Sequence, residues 1–229
     1  MTEAEFDVHA DTYRRQHADS VRLAGEDLDY FAAYKIEHVA SVLARAGQSP
    51  RTILDFGAGI GNSYTPLRQT FPDNRIVSLD VSEGSLSVCR KLHPDAETCL
   101  YDGRKLPFDD GTFDLAFTAC VFHHIDASEH IGLLGEIRRV LRTGGRFFLF
   151  EHNPLNPLTR HAVRTCPFDE HAVLIAGREM MRRTSAAGFS TSRLQYQLFF
   201  PGPLAALRPL ENALRWLPLG AQYSLECCR

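Results

Sequence analysis

A chain of 229 residues, 44% hydrophobic and 23% charged, carries enough apolar material for one well-buried core and predicts a single domain. Its formal net charge of -3 and isoelectric point near 6.4 argue against a polyanionic partner such as duplex DNA, because no bulk basic footprint exists. The six cysteines form no Cys-x-x-Cys pair, the opening MTEAEFDVHADTY has no apolar signal core, and no apolar run approaches the ~20 residues needed to span a bilayer. A reducing cytoplasm is therefore expected.

Taken in chain order, Glu26 to Ala46 carries Leu28, Phe31, Ile36, Val39, Val42 and Leu43 at three- and four-residue spacing, which predicts an amphipathic helix ended by Gly47 and Pro50. TILDFG reads as a strand running into a glycine turn, followed by a helix from Asn62 to Phe71. RIVSLD is a second strand, and Ser82 caps a helix reaching Leu92. Glu97 to Tyr101 is a weaker strand and DLAFTACVF a strongly apolar one. Ser128 to Leu141 predicts a helix that Gly144 terminates, and RFFLFE is the fifth strand. The rhythm then breaks into the irregular HNPLNPLTRHAVRTCPFDEHAVL, which suits a lid. A helix from Arg178 to Ala187, a strand near Ser192 to Phe200, a helix opened by Pro203 and a last strand over Gln222 to Cys227 follow. The apolar Leu198 to Leu210 region is expected to pack in the core, with peripheral membrane attachment as the alternative. Strands alternating with helices, apolar on both faces, indicate a mainly parallel sheet covered by helices.

Asp55-Phe56-Gly57-Ala58-Gly59-Ile60-Gly61 places three glycines in five positions, where the backbone turns tightly and approaches a ligand without Cβ obstruction. The spacing is not the Gly-x-Gly-x-x-Gly of dinucleotide-binding folds, and no Lys-Ser/Thr pair follows as a phosphate-binding loop requires. Asp55 repels a pyrophosphate but suits a cationic ligand. Asp80, closing the second strand, suits the ribose hydroxyls of an adenosine ligand, or else caps the next helix. Asp102 and Gly103 follow the third strand, where an adenine amino group would sit. Asp109, Asp110 and Asp114 lack a metal-ligand pattern, the histidines show no paired metal spacing, and no metal is predicted.

In order, DFGAGIGN, SLDVS, YDGRKLPFDDGTFDLAFTACVFHHI and LRTGGRFFLFEHNP resemble the successive motifs of class I S-adenosylmethionine-dependent methyltransferases, over roughly Asp11 to Pro154. The resemblance implies a Rossmann-like α/β fold with a seven-stranded sheet of order 3-2-1-4-5-7-6, strand 7 antiparallel, and helices on both faces. It implies one domain over residues 1–229, with a helical cap over 1–46 and a substrate-side lid over 152–177. Carried over, Gly57, Gly59 and Gly61 would lie against the methionine part of S-adenosylmethionine, Asp80 would hold the ribose, Val81 would lie along the adenine, and Asp102 with Gly103 would meet its amino edge. Tyr13, in FDVHADTYRRQ, would close over the cofactor, though Arg14 follows where an aspartate is common.

Methyl transfer to a hydroxyl is helped by removing its proton, and a histidine suits that task. His123 and His124, after the fourth strand, are the leading candidates; packing near the cofactor without proton transfer is the alternative. Glu151 and His152 end the fifth strand on the acceptor side. Arg160, His161 and Arg164 could bind a carboxylate or phosphate on the acceptor, or be a solvated lid surface. The expected function is methyl transfer from S-adenosylmethionine to a small organic acceptor at oxygen, yielding S-adenosylhomocysteine. Two other readings compete: a cofactor-binding protein without methyl transfer, and a NAD-dependent oxidoreductase, which needs a different glycine spacing.

Overall fold

Short apolar runs bounded by glycine-bearing turns become strands here, and the amphipathic stretches between them become helices. The computed structural model describes residues 28–166 and 169–229. In chain order, α1 (Leu28–Arg45) leads to β1 (Thr52–Phe56), α2 (Tyr64–Thr70), β2 (Arg75–Asp80), α3 (Glu83–Leu92), β3 (Glu97–Leu100) and β4 (Phe113–Ala119). A 3-10 turn, Phe122–His124, precedes α4 (His130–Val140) and β5 (Leu141–His152). Then come α5 (Pro157–Thr165), α6 (Gly177–Ala186), β6 (Thr191–Gln197), a 3-10 stretch over Gly202–Leu210, α7 (Glu211–Leu214) and β7 (Gln222–Cys228).

The seven strands form one sheet of order β3-β2-β1-β4-β5-β7-β6, as the resemblance implied. β1 to β5 pair in parallel, and β7 runs antiparallel to both neighbours, with Leu225 opposite Leu149 on one side and Leu194 on the other. Both faces are buried, and the two-residue period of a strand sorts its side chains between them. On β5, Phe147 and Leu149 enter one core while Phe148 and Phe150 enter the other. Helices α4 and α6 close the first with Leu134, Ile137 and Met180, and α1 and α2 close the second with Ile36, Val39 and Leu67. Because β1 has β2 on one side and β4 on the other, the chain reverses direction of travel there, and a crevice opens beyond the carboxyl ends of these strands.

Several expectations shift at element ends. β4 stops at Ala119 rather than running on to Phe122, because Cys120 takes a positive φ of 59° and Glu151 captures the next two backbone N–H groups. Asp126 takes the Ser128 N–H, so α4 begins at His130. Gly144, with φ of 76°, bends the start of β5 instead of ending a helix. The supposedly irregular lid contains α5, whose N-cap Asn156 accepts the Thr159 N–H at 3.0 Å ahead of Pro157. The last predicted helix is mainly 3-10, with Pro209 inside it; Phe199 packs against the core as expected, whereas Leu204, Leu207 and Leu210 lie exposed, so the core-packing reading fails for the later part of that stretch. No helix among the described residues is long and apolar enough to cross a membrane.

Candidate active site

The glycine turn after β1 is fastened to β2, since the Gly57 and Ala58 N–H groups both donate to the Leu79 carbonyl, at 2.8 and 3.0 Å. Asp80 at the end of β2 holds the same turn from the other side. Its Oδ2 accepts the Gly59 N–H at 2.7 Å and its Oδ1 the Ser82 N–H at 2.9 Å, while Ser82 caps α3 through Ser85. The turn glycines have φ of 73°, 54° and 85°, the left-handed region that disfavours a side chain. They differ in surroundings. A Cβ at Gly57 would collide with the Val121 methyls and one at Gly61 with Cys89 and His93, whereas a Cβ at Gly59 meets nothing within 4 Å.

That open side of Gly59 belongs to a cavity of about 700 Å³, which runs from Gly57, Asp80, Val81 and Gly103 to Cys120, His123, His124 and His152. At the far end Glu151 organises the turn after β4. One carboxylate oxygen accepts the Val121 and Phe122 N–H groups at 2.9 and 2.7 Å, and the other meets His123 Nδ1 at 2.6 Å. The other His123 nitrogen, Nε2, faces Asp169 Oδ1 at 3.4 Å, and His124 Nε2 faces the same oxygen at 3.5 Å. Asp169 is brought there by a turn pinned to the histidines, the Val173 N–H donating to the His123 carbonyl at 2.8 Å.

Burial and neighbouring charge move these groups apart. Burial opposes a charge on His123, but Glu151 and Asp169 outweigh it and raise its pKa well above the usual histidine value. Burial, reinforced by His123, lowers His124 to about 3 and His152 to about 4. Burial would raise Glu151, yet His123 and the backbone donors hold it at about 2. At the opposite end, burial and the Asp80 charge push the Asp55 carboxyl up to about 7. Its Oδ2 is buried and has no hydrogen-bond partner among the described residues.

A family profile described as a methyltransferase domain matches residues 54–149, from β1 to near the end of β5. Residues 54–149, less than half of the chain, are thus similar to a methyltransferase domain. The chain is 33% identical to the demethylmenaquinone methyltransferase of Thermotoga maritima over 47% of its own length and 46% of that protein's. It is 30% identical to the malonyl-[acyl-carrier protein] O-methyltransferase of Geobacter sulfurreducens over 58% and 52% of the two chains. The matched stretches thus span about half the length of these curated relatives. Among solved structures, a SAM-dependent methyltransferase from Thermotoga maritima, titled a possible histamine N-methyltransferase, superposes with a TM-score of 0.69 at 18% identity, covering 98% of each chain, and shares the fold.

S-adenosylmethionine is the cofactor of this methyltransferase class, and the domain's residues fit it. The orphaned Asp55 Oδ2 favours a cationic group through its charge, and the open Gly59 leaves the backbone reachable. Asp80, an acceptor with several lone-pair directions, stands between the turn and Val81.

The sequence candidates divide. Gly57, Gly59, Asp80, Val81, Gly103, His123, His124 and His152 line the cavity. Gly61 instead gives room to α3, Glu151 stands behind the histidines, and Asp55 is buried beneath the turn. Asp102 is spent locally, accepting the Arg104 and Lys105 N–H groups at 2.9 and 3.0 Å. Arg160, His161 and Arg164 are exposed on α5 and are not among the residues lining the cavity. Tyr13 lies outside the described residues. Lys35 and Asp169 are among the lining residues that went unforeseen. Lys35 interrupts the apolar stripe of α1 and is only 7% exposed, a signal the spacing contained. Asp169, in CPFDEHAVL, gave no signal, because its partners are more than 40 residues away in sequence.

Proposed function

We propose that the chain transfers the methyl group of S-adenosylmethionine to an oxygen of a small organic acceptor. One observation carries this reading: a single continuous cavity joins the glycine turn and Asp80 to the His123–His124 pair, so that cofactor and acceptor can meet inside one walled space. When bound, S-adenosylmethionine supplies an electrophilic methyl group on a sulfonium. The chain's own residues then have to bind, orient and exclude water, and holding two reactants at contact distance is itself a large share of the barrier reduction.

Asp80 would take the ribose hydroxyls while keeping Gly59 in place, and Asp55, buried beneath the turn, would favour a cationic cofactor through its charge without touching it. Gly57 and Gly59 would lie against the methionine part, and Val81 and Gly103 would border the adenine. His123 and His124 would meet the acceptor oxygen. Because both His123 ring nitrogens face carboxylates, it acts as a fixed positioning group rather than an open base. His152, 5.2 Å from the His123 ring, and Lys35 complete the acceptor wall. Oxygen as the acceptor atom draws support from the Geobacter sulfurreducens relative, named as an O-methyltransferase. The mild acidity and a cavity of about 700 Å³ favour a small acceptor over nucleic acid.

The test is incubation with methyl-labelled S-adenosylmethionine and a panel of small hydroxyl, carboxyl and amine compounds, following label transfer and S-adenosylhomocysteine release. Label appearing as methyl ethers or esters supports the reading. Cofactor binding with no transfer to any compound, or transfer confined to amines, overturns it.

A further inference from the structure

The histidine pair has a geometry that methyl transfer alone does not call for. His123, His124 and Asp169 each offer one ligand atom, these atoms all lie within 4.8 Å of one another, and all three residues line the cavity. Asp169 Oδ1 lies 3.4 Å from His123 Nε2 and 3.5 Å from His124 Nε2. Two ligands bound to zinc at ~2.05 Å in tetrahedral array are separated by about 3.4 Å. The two carboxylate–imidazole spacings are therefore close to those of a metal ligand set, and all three ligand atoms lie within 4.8 Å, so that a small closing movement would let them share one ion.

The outer shell matches as well. A ligating histidine commonly donates its second ring N–H to a carboxylate, which fixes the tautomer and leaves the other nitrogen to bind metal. Glu151 does this to His123 Nδ1 at 2.6 Å and is itself held by two backbone N–H groups. Two carboxylates, Glu151 at 2% and Asp169 at 11% side-chain exposure, surround this pair, and a dication would balance both. The turn carrying Asp169 is built in place by the Ala172 N–H to the Asp169 carbonyl at 2.9 Å and by the Val173 N–H to His123. Two imidazoles and one carboxylate are ligands of borderline character, suited to zinc or a similar divalent transition metal.

We propose that His123, His124 and Asp169 form a divalent-metal site of the zinc type, with Glu151 as the residue that orients His123 and the fourth coordination position open to the cavity. Metal would replace the proton that His123 Nε2 otherwise shares with Asp169. Resting on the methyl-transfer reading, the open position assigns the acceptor a class: molecules with a hydroxyl or carboxylate oxygen that can ligate the metal beside the cofactor.

The test is titration of the chelator-treated full-length protein with cobalt(II) and with zinc(II), read by visible absorption and by metal content after desalting. One equivalent of cobalt with the intense visible bands of a four-coordinate ion is expected. His124→Ala and Asp169→Ala should lose it, Glu151→Gln should bind 10- to 100-fold more weakly, and His161→Ala on the exposed face of α5 should bind as the parent does. Retained S-adenosylhomocysteine binding shows that each variant is folded. No metal uptake by the parent, or uptake undiminished in both ligand variants, overturns the site. Metal uptake without methyl transfer leaves the site standing and removes the functional reading, whereas transfer by a protein that takes up no metal does the reverse.

Discussion

Asp55 and Asp80 end neighbouring strands, and their charges compete. Asp80 stays engaged with two backbone N–H groups, while Asp55, buried and with Oδ2 unpartnered among the described residues, is pushed up to about 7 from the ordinary 3.8. The sign follows directly. A raised folded-state pKa favours the protonated native form, so this contribution to stability is complete below about pH 4 and is lost as pH rises through about 7. Denaturant unfolding of the ligand-free protein should therefore show a loss of stability between about pH 4 and about pH 7 that Asp55→Asn lacks. A cationic cofactor favours the ionised form, so S-adenosylmethionine affinity should rise over the same interval in the parent and stay flat in Asp55→Asn. Asp80→Ala should weaken binding of S-adenosylhomocysteine by about 1.5–3 kcal/mol in calorimetry, through loss of charge-assisted hydrogen bonds; unchanged affinity in a folded variant would remove Asp80 from the site. Both acids were legible in the sequence because they end apolar runs. Which of them is exhausted by the protein itself was not, since that depends on backbone N–H groups from another segment. Asp102 shows the same limit: its carboxylate turns back on Arg104 and Lys105.

Elements decide which glycine matters for what. Gly57→Ala places a Cβ against Val121 of the turn after β4 at a positive φ, and should cost about 2–4 kcal/mol, read as a lowered Tm. Gly59→Ala meets open space and carries only the backbone penalty of about 1 kcal/mol, yet it should impair cofactor binding more than stability does. The contrast fails if both variants lose binding and Tm in step. In α5, Asn156 caps the first turn and also donates to the Leu219 carbonyl at 2.7 Å, tying this helix to the segment before β7. Asn156→Ala should cost about 1 kcal/mol, with thermal unfolding as the measurement. Strands and long amphipathic helices were readable from periodicity, because burial on one face or both imposes it. The ends were read less well. Glu151, more than 25 residues away, captures the N–H groups that would have carried β4 onward, and a strand-end signal of that kind has no local trace.

At the scale of the whole molecule, the parallel sheet turns outward in both directions from β1, and everything that reaches the cavity comes from the carboxyl ends of its strands or from segments folded over them. Ligand binding should be felt by the entire domain. At a hundredfold excess over its Kd, S-adenosylhomocysteine should add about 2.7 kcal/mol of stability, visible as a raised Tm, and NAD should add none; a shift with NAD would reverse the reading of the glycine turn. By itself the sequence determined the α/β class, the alternation of strands and helices, the glycine turn and the acids beside it, because each is written in contiguous residues whose period or spacing follows from local geometry. Only the tertiary structure decided the acceptor end. His123 and His124 come from the turn after β4, Glu151 from β5, Asp169 from the stretch beyond α5 and Lys35 from α1, and they converge because the sheet order and the packing of both faces leave that one crevice open.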